Sequence, residues 1–139
     1  MSREAGQRGA EGERALVEAL LQAYRAGAFP MADPETGRID FYTARRRGIF
    51  EVAREDGLHV SRSLGRRLRS GWFEVRSDTA FEGVMRACAA PRDAEDESWI
   101  NETLIGWYGA LHRAGHAHSV ETWRRDEEAG EEALVGGIY

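Results

Sequence analysis

Apolar positions recur along the chain with two spacings, one typical of helices and one typical of strands. Three segments place apolar residues three and four positions apart, which predicts helices with one buried face. Each segment also carries residues that begin or end helices in proteins. The predicted helices run from Glu13 to a C-cap at Gly27, from a cap at Asp78 to Pro91, and from a cap at Asn101 to Gly115.

A fourth, shorter helix is predicted after Ser61, whose hydroxyl suits an N-cap. It extends through Arg69, with Leu64 and Leu68 on its inner face. Short extended segments are predicted over 37–43, 46–54, 71–77, 116–123 and 133–139, and the last two form an antiparallel hairpin. We expect a loop over 29–37, a turn at Asp56-Gly57 and a disordered arm over 1–12.

These elements alternate in a way that indicates an α+β fold, because two central helices precede a strand hairpin. Gly136 and Gly137 interrupt the last strand pattern. Glycine in a strand indicates either a bulge or the close approach of a ligand or neighbouring backbone, and the sequence leaves both open.

Charge is distributed unevenly along the chain. All 19 basic residues are arginine. Residues 45–76 carry nine arginines against four acids, whereas residues 91–139 carry four against eleven. An arginine-rich half can hold a polyanion, since guanidinium groups bind phosphate through two parallel hydrogen bonds. The alternative is a solvated face in a chain whose lack of lysine has no functional meaning.

Several function classes find no support. The charged, glycine-rich start has no apolar core of a secretory signal, and a single cysteine, Cys88, excludes an intramolecular disulfide. Both features indicate a cytoplasmic protein. His112, His116 and His118 lack a well-placed third ligand, so we predict no metal site. Trp99, between an acidic stretch and a predicted cap, stands where a large aromatic can form a pocket wall.

Six strings in the sequence carry a specific resemblance. They are "AYRAGAFPM" (23–31), "HVSRSL" (59–64), "FEVRSDTAFEGVMRACA" (73–89), "SWI" (98–100), "LHRAGHAHSVETW" (111–123) and "LVGGIY" (134–139). In this order, over about residues 20–139, they resemble the leucyl/phenylalanyl-tRNA–protein transferase family.

The resemblance implies a fold and a reaction. It implies a small N-terminal helix and strand domain over 13–58, and the first part of a GNAT-like transferase domain over 59–139, with an incomplete mixed sheet and two helices. Family members transfer leucine, phenylalanine or methionine from aminoacyl-tRNA to proteins that begin with arginine or lysine. The product is marked for N-end-rule degradation, and neither a metal nor a diffusible cofactor is needed.

The resemblance also assigns residues. Trp99 matches a tryptophan of the aminoacyl and adenosine pocket, and Phe41-Tyr42 match an aromatic pair there. A basic stretch that contacts the tRNA acceptor backbone corresponds to Arg66, Arg67 and Arg69. The family's catalytic groups are expected beyond residue 139, in a "GESMFS"-like segment and an "Asp-Cys-Gln"-like strand.

Two departures bear on activity. Residues 43–47 read "TARRR" where the family usually has "SPDPR", which changes the loop beside the aromatic pair. The C-terminal segments are missing as well, so a truncated, non-catalytic tRNA-binding remnant is the alternative function. We expect a monomer if the protein is complete, and association through the bare edge of the last strand in the chain as given.

Overall fold

The structure is a computed structural model that describes residues 2–49, 51, 59–91, 93, 97–125 and 130–139. Those residues form four helices and five strands, which confirms the predicted α+β class. In chain order the elements are α1 (Ser2–Arg25), β1 (Ala28–Ala32), β2 (Ile39–Thr43), α2 (Arg62–Arg69), β3 (Glu74–Ser77), α3 (Phe81–Ala89), α4 (Glu102–Arg113), β4 (Val120–Arg125) and β5 (Glu132–Ile138).

The first helix is longer than the sequence pattern predicts. It begins at Ser2, so residues 2–12 are helical where we expected a disordered arm. The segment holds two alanines, two glutamates, one glutamine and two arginines, which are good helix formers, beside three glycines, which are poor ones. Tertiary packing also stabilises this helix, because Leu20 is buried and Glu13 accepts a hydrogen bond from Arg113 of α4 at 2.8 Å.

A hairpin replaces the loop predicted over 29–37. β1 pairs antiparallel with β2, and Pro30 lies opposite Phe41. Proline is tolerated because both strands of this two-stranded sheet are edges. Asp33 accepts a hydrogen bond from the Thr36 backbone at 2.8 Å and closes the turn.

The second sheet has the order β3-β4-β5, and both pairs are antiparallel, so the hairpin predicted from the sequence is confirmed. Thr122 lies opposite Gly136 and Trp123 lies opposite Leu134, which leaves Val135 as the extra residue of a bulge. Gly137 has a different role. A Cβ atom there would lie 2.8 Å from Cγ2 of Val84 on α3, so the helix packs against bare backbone.

The core lies where α1, α3, α4 and the first hairpin meet. Its buried side chains include Val17, Leu20, Phe81, Met85, Ile100, Leu104, Ile105, Tyr108 and Leu111. Tyr139 packs against this cluster from the end of β5. Within the described residues, no helix has both the length and the apolar character that a membrane crossing requires.

Several helix ends are as predicted. The Ser61 hydroxyl accepts the backbone N–H of Leu64 at 3.2 Å, and the Asn101 side chain accepts that of Leu104 at 3.0 Å. Gly115 follows the C-cap of α4 in the left-handed conformation, with φ of 76°. Gly27 follows α1 in the same conformation, with φ of 80°.

Other local predictions differ from the structure or lie outside its described part. The prediction that Leu64 and Leu68 face inward is wrong, because α2 buries only Gly65 and leaves 47% and 54% of their surface exposed. The described residues of 46–54 are not in a strand. The Asp56-Gly57 turn lies outside the described residues.

Candidate RNA-binding site

The arginines of α2 form the first part of the candidate site. The Ser61 cap starts the helix, and its second half carries Arg66 and Arg67 on an exposed surface. These two side chains line a cavity of about 280 Å³ together with Ser70 and Trp72. The cavity is open to solvent and contains two positive charges next to one aromatic ring.

These arginines differ from several others in how they are partnered. Arg76 is held between Glu74 and Glu132, and Arg86 between Glu82 and Glu102. Among the described residues, no carboxylate lies within ion-pairing distance of the three arginines predicted to contact RNA, which are Arg66, Arg67 and Arg69. Their charge is therefore not neutralised by the described part of the chain.

The structure separates the three predicted phosphate contacts. Arg66 and Arg67 line the cavity, whereas the guanidinium of Arg69 lies over Gly65 of its own helix. A Cβ atom at Gly65 would be 3.4 Å from Nη1 of Arg69. The sequence could not distinguish them, because helical spacing places Arg66 and Arg69 on one face and does not show which guanidinium turns back over Gly65.

Trp72 belongs to a strand on sequence grounds, but β3 begins at Glu74 and the Trp72 side chain is 59% exposed. The guanidinium carbon of Arg124 lies 5.1 Å from the centre of its ring, within the range of a cation–π interaction. The signal that could have found Trp72 is an aromatic residue next to a basic helix, at the start of a strand.

A second cavity, of about 190 Å³, borders Trp72 on another side. Glu74, Trp123 and Glu132 help to line it. Its acids are already engaged, because Arg76 donates hydrogen bonds to Glu74 at 2.7 Å and to Glu132 at 3.1 Å. This cavity therefore presents a neutralised network, in contrast to the arginines of α2, which have no ion pair within the part of the chain that the structure describes.

Trp99 lies beside the first hairpin. Its backbone oxygen accepts a hydrogen bond from the Ala32 backbone at 2.9 Å, and the Asn101 amide donates to the Gly37 oxygen at 3.1 Å. These two bonds hold the segment along the outer edge of β1. The Trp99 side chain is 37% exposed, so it is available to a ligand and is not packed away in the core.

The aromatic pair of β2 divides between the two faces of that hairpin, because successive side chains in a strand alternate. Phe41 lies opposite Pro30 and shares the core-side face, whereas Tyr42 lies opposite Phe29 on the other face. Both rings are exposed by nearly half. Following them, Arg47 donates a hydrogen bond to the Gly27 oxygen at 2.7 Å, so an arginine anchors the unusual "TARRR" loop.

Glu121 is a buried and extensively bonded side chain of the sheet. It has no exposed surface, and its carboxylate accepts backbone N–H groups of Thr79 at 3.0 Å and Ala80 at 2.9 Å just before α3. The hydroxyls of Thr79 and Ser119 also donate to it. Burial alone would raise the pKa of Glu121, but these hydrogen bonds lower it to about 2.

Asp78 is predicted to cap α3, and this is wrong. The N-cap position is Ala80, which has no side-chain bond, and Glu121 takes over the capping role from β4. Asp78 instead has a left-handed backbone, with φ of 59°, and accepts bonds from His118 at 2.8 Å and the Ser119 backbone at 2.9 Å. The His118 bond lowers the pKa of Asp78 and raises that of His118.

The histidines have structural surroundings. His112 stacks on Phe81 with ring centres 4.3 Å apart, and its Nδ1 lies 2.9 Å from the Ala117 oxygen. His118 pairs with Asp78. In the described ranges, no group of three or more histidine, cysteine, aspartate or glutamate side chains is arranged to hold a metal ion.

Comparisons with known proteins agree on one family. The family model described as leucyl/phenylalanyl-tRNA protein transferase matches residues 52–139, and the model of its N-terminal domain matches residues 15–45. A leucyl/phenylalanyl-tRNA–protein transferase of Chlorobaculum parvum is 44% identical over 88% of this chain and 59% of its own length. That of Akkermansia muciniphila is 44% identical over 91% and 61%, and that of Novosphingobium aromaticivorans is 46% identical over 88% and 43%.

The chain thus spans between 43% and 61% of the length of these three relatives. The matched segments include α2, the Trp99 segment and the β4–β5 hairpin, which contain the features described above. The chain belongs to the leucyl/phenylalanyl-tRNA–protein transferase family.

Proposed function

We propose that this chain binds aminoacyl-tRNA and takes part in transferring leucine, phenylalanine or methionine to proteins with N-terminal arginine or lysine. The transfer would mark those proteins for N-end-rule degradation in the cytoplasm. The observation that carries the proposal is that Arg66 and Arg67 line an open cavity and form no ion pair with any described residue. Membership of the family supplies the substrate class.

Phosphate contact suits an enzyme that accepts several tRNAs, because it carries no base information. In this proposal Arg66, Arg67 and Arg69 hold the acceptor backbone. Trp99 with Phe41 and Tyr42 would form walls of the aminoacyl and adenosine pocket. Phe41 and Tyr42 occupy opposite faces of β2. Trp99 would therefore lie closer to one of these rings than to the other in such a pocket.

The reaction itself is an aminoacyl transfer. The α-amine of the acceptor attacks the ester carbonyl, an amide bond forms, and the ester bond to the tRNA 3′ hydroxyl breaks. The amine loses a proton and the leaving hydroxyl gains one, so the chemistry needs positioning, proton transfer and stabilisation of the oxyanion. We expect the groups that move the proton to lie beyond residue 139, and we propose no metal or cofactor.

The division into an N-terminal domain over 13–58 and a transferase domain over 59–139 remains part of this proposal. So does the GNAT-like character of the second domain. The β3-β4-β5 sheet, with α3 packed on β5, supports it as the beginning of a larger sheet. In the described residues the outer edge of β5 is unpaired, which favours association through that edge for the chain as given.

The test is transfer of labelled leucine from leucyl-tRNA to a peptide that begins with arginine. We expect the chain to bind leucyl-tRNA, and Trp99→Ala to lower leucine transfer with tRNA binding kept. A full-length relative serves as the positive control. If the chain binds tRNA but transfers no leucine while the relative does, it is the non-catalytic tRNA-binding form of the family.

A further inference from the structure

Trp72 combines three features that the proposed function has not used. More than half of its side chain is exposed, it lines the basic cavity with Arg66 and Arg67, and Arg124 lies against its ring. A large exposed aromatic costs free energy in water, since its apolar surface remains hydrated. Such a ring, beside two arginines that form no ion pair with a described residue, indicates a ligand that has both an aromatic face and a negative charge.

A nucleotide in single-stranded RNA has both properties. Its base stacks on aromatic side chains without regard to sequence, and its phosphate binds arginine. The cation–π contact with Arg124 restricts the ring before a ligand arrives, because one face of the indole is already occupied. Phe73 makes an edge contact with the same ring, with centroids 6.3 Å apart, and the exposed part of the indole remains for a base.

We propose that Trp72 is a base-stacking residue of the RNA site. An unpaired nucleotide stacks on its indole, Arg66 and Arg67 bind the adjacent phosphate, and Arg124 holds the ring in place. This inference rests on the proposed function, because it takes the ligand of the basic cavity to be RNA. It adds a contact outside the acceptor-backbone arginines and outside the pocket of Trp99.

The main rival ligand is an anionic lipid surface. The exposed Leu64 and Leu68 beside the α2 arginines would suit one. Two observations favour RNA instead. The charges border an open depression lined by one aromatic ring, which suits a base beside a phosphate, and that ring is held by Arg124 rather than free to insert into a bilayer.

The experiment measures binding of the whole chain to a short single-stranded RNA and, separately, to phosphatidylglycerol vesicles. We expect Trp72→Ala to weaken RNA binding about tenfold, equivalent to about 1.4 kcal/mol. Trp72→Phe keeps a stacking face and should retain most of the affinity. Arg14→Gln is the matched control, because Arg14 is exposed on α1 with no ion pair among the described residues.

A second readout distinguishes stacking from general charge attraction. RNA should quench the tryptophan fluorescence of the unchanged chain, and Trp72→Phe should remove much of that quenching while binding persists. Thermal unfolding of each variant is measured alongside, and an unchanged Tm excludes a folding defect.

Three outcomes would overturn the inference. If Trp72→Ala binds RNA as well as the unchanged chain while Arg66→Gln does not, stacking is wrong and backbone binding stands. If the chain binds no RNA, the proposed function fails at its first step. If the chain binds phosphatidylglycerol vesicles in preference to RNA, the cavity belongs to a lipid-binding surface.

Discussion

Two regions of this protein differ in how their charged side chains are partnered. Around Glu121 a buried carboxylate receives hydrogen bonds from Thr79, Ala80 and Ser119, and its charge is fully compensated inside the fold. Around α2, Arg66 and Arg67 line an open cavity, and no described carboxylate pairs with them. Both regions lie within the segment that matches the family.

The difference separates a structural role from the binding role that we propose. A buried charged group whose hydrogen-bond partners all lie inside the fold is already stabilised there and is not accessible to a ligand. An exposed arginine without a carboxylate partner in the fold can attract an anion from solution. Glu121, within the string "LHRAGHAHSVETW", is structural in effect, since it joins β4 to the start of α3. The proposed binding function rests on the arginines of α2 instead.

The largest expected effect comes from removing the buried carboxylate. Glu121→Ala should lower the free energy of unfolding by about 3 kcal/mol, because it leaves buried donors of Thr79, Ala80 and Ser119 without an acceptor. Urea denaturation measures the change, and Glu131→Ala, an exposed site, is the control. A decrease no larger than that of the control would contradict the structural assignment.

The same carboxylate predicts a pH dependence. Its pKa of about 2 lies below the unfolded value of 4.5. The stability it contributes is therefore complete above pH 4.5 and disappears as the pH falls towards 2. In Glu121→Gln this part of the acid dependence should be absent.

The second effect is on binding rather than on stability. Arg66→Glu combined with Arg67→Glu should weaken tRNA binding at least tenfold. The slope of log binding constant against log salt concentration should become shallower by about 0.7–0.9 for each phosphate that is no longer neutralised. The Tm should stay unchanged, because neither side chain forms an ion pair with a described residue. Reversal of Arg14 tests whether net charge alone is responsible. Equal weakening in both variants would argue against a localised site.

The third prediction concerns the two glycines of β5. Gly137→Ala should destabilise the protein by roughly 1–3 kcal/mol, because the new methyl group would overlap Val84 and crowd the Val120 oxygen. Gly136→Ala is the matched control, since its Cβ would meet Thr122 at an ordinary 3.7 Å. Thermal unfolding measures the stability of the two variants. Equal stability would mean that α3 does not pack on bare backbone at Gly137.

The smallest effect belongs to the exposed pair of His118 and Asp78. Because the pKa of His118 is raised above 6.5, the stability that it contributes is complete below pH 6.5 and disappears as the pH rises through the higher folded value. The difference in Tm between the unchanged chain and His118→Ala should therefore shrink at alkaline pH. A difference that grows with pH would contradict the pairing.

Local patterns predict much of the fold. The Ser61 and Asn101 caps, Gly27 and Gly115, and the final hairpin all follow from neighbours in sequence, where turn chemistry and periodicity are short-range. The wrong assignments have longer-range causes. Asp78 has the residue type of a cap, but the acceptor that serves α3 comes from Glu121, 40 or more residues away.

The candidate site also has features that local sequence predicts and features that depend on distant residues. Arginine enrichment over 45–76 is visible in composition, and the resemblance assigns Arg66, Arg67, Arg69, Trp99 and the aromatic pair. Sequence reasoning misses the roles of Trp72 and Arg124, because more than 50 residues separate them in the chain. The prolines and glycine of 29–37 predict a loop there, whereas strand pairing and the hydrogen bond to Trp99 stabilise a hairpin.

The sequence by itself determined the family, the α+β class, most helix ends and the position of the basic segment, since each depends on residue identity and close spacing. Tertiary structure alone decided which charges are neutralised. It pairs Arg76 and Arg86 with carboxylates and leaves Arg66 and Arg67 facing a cavity. Coulomb attraction and desolvation depend on distance in space and on burial, and neither can be read from order along a chain.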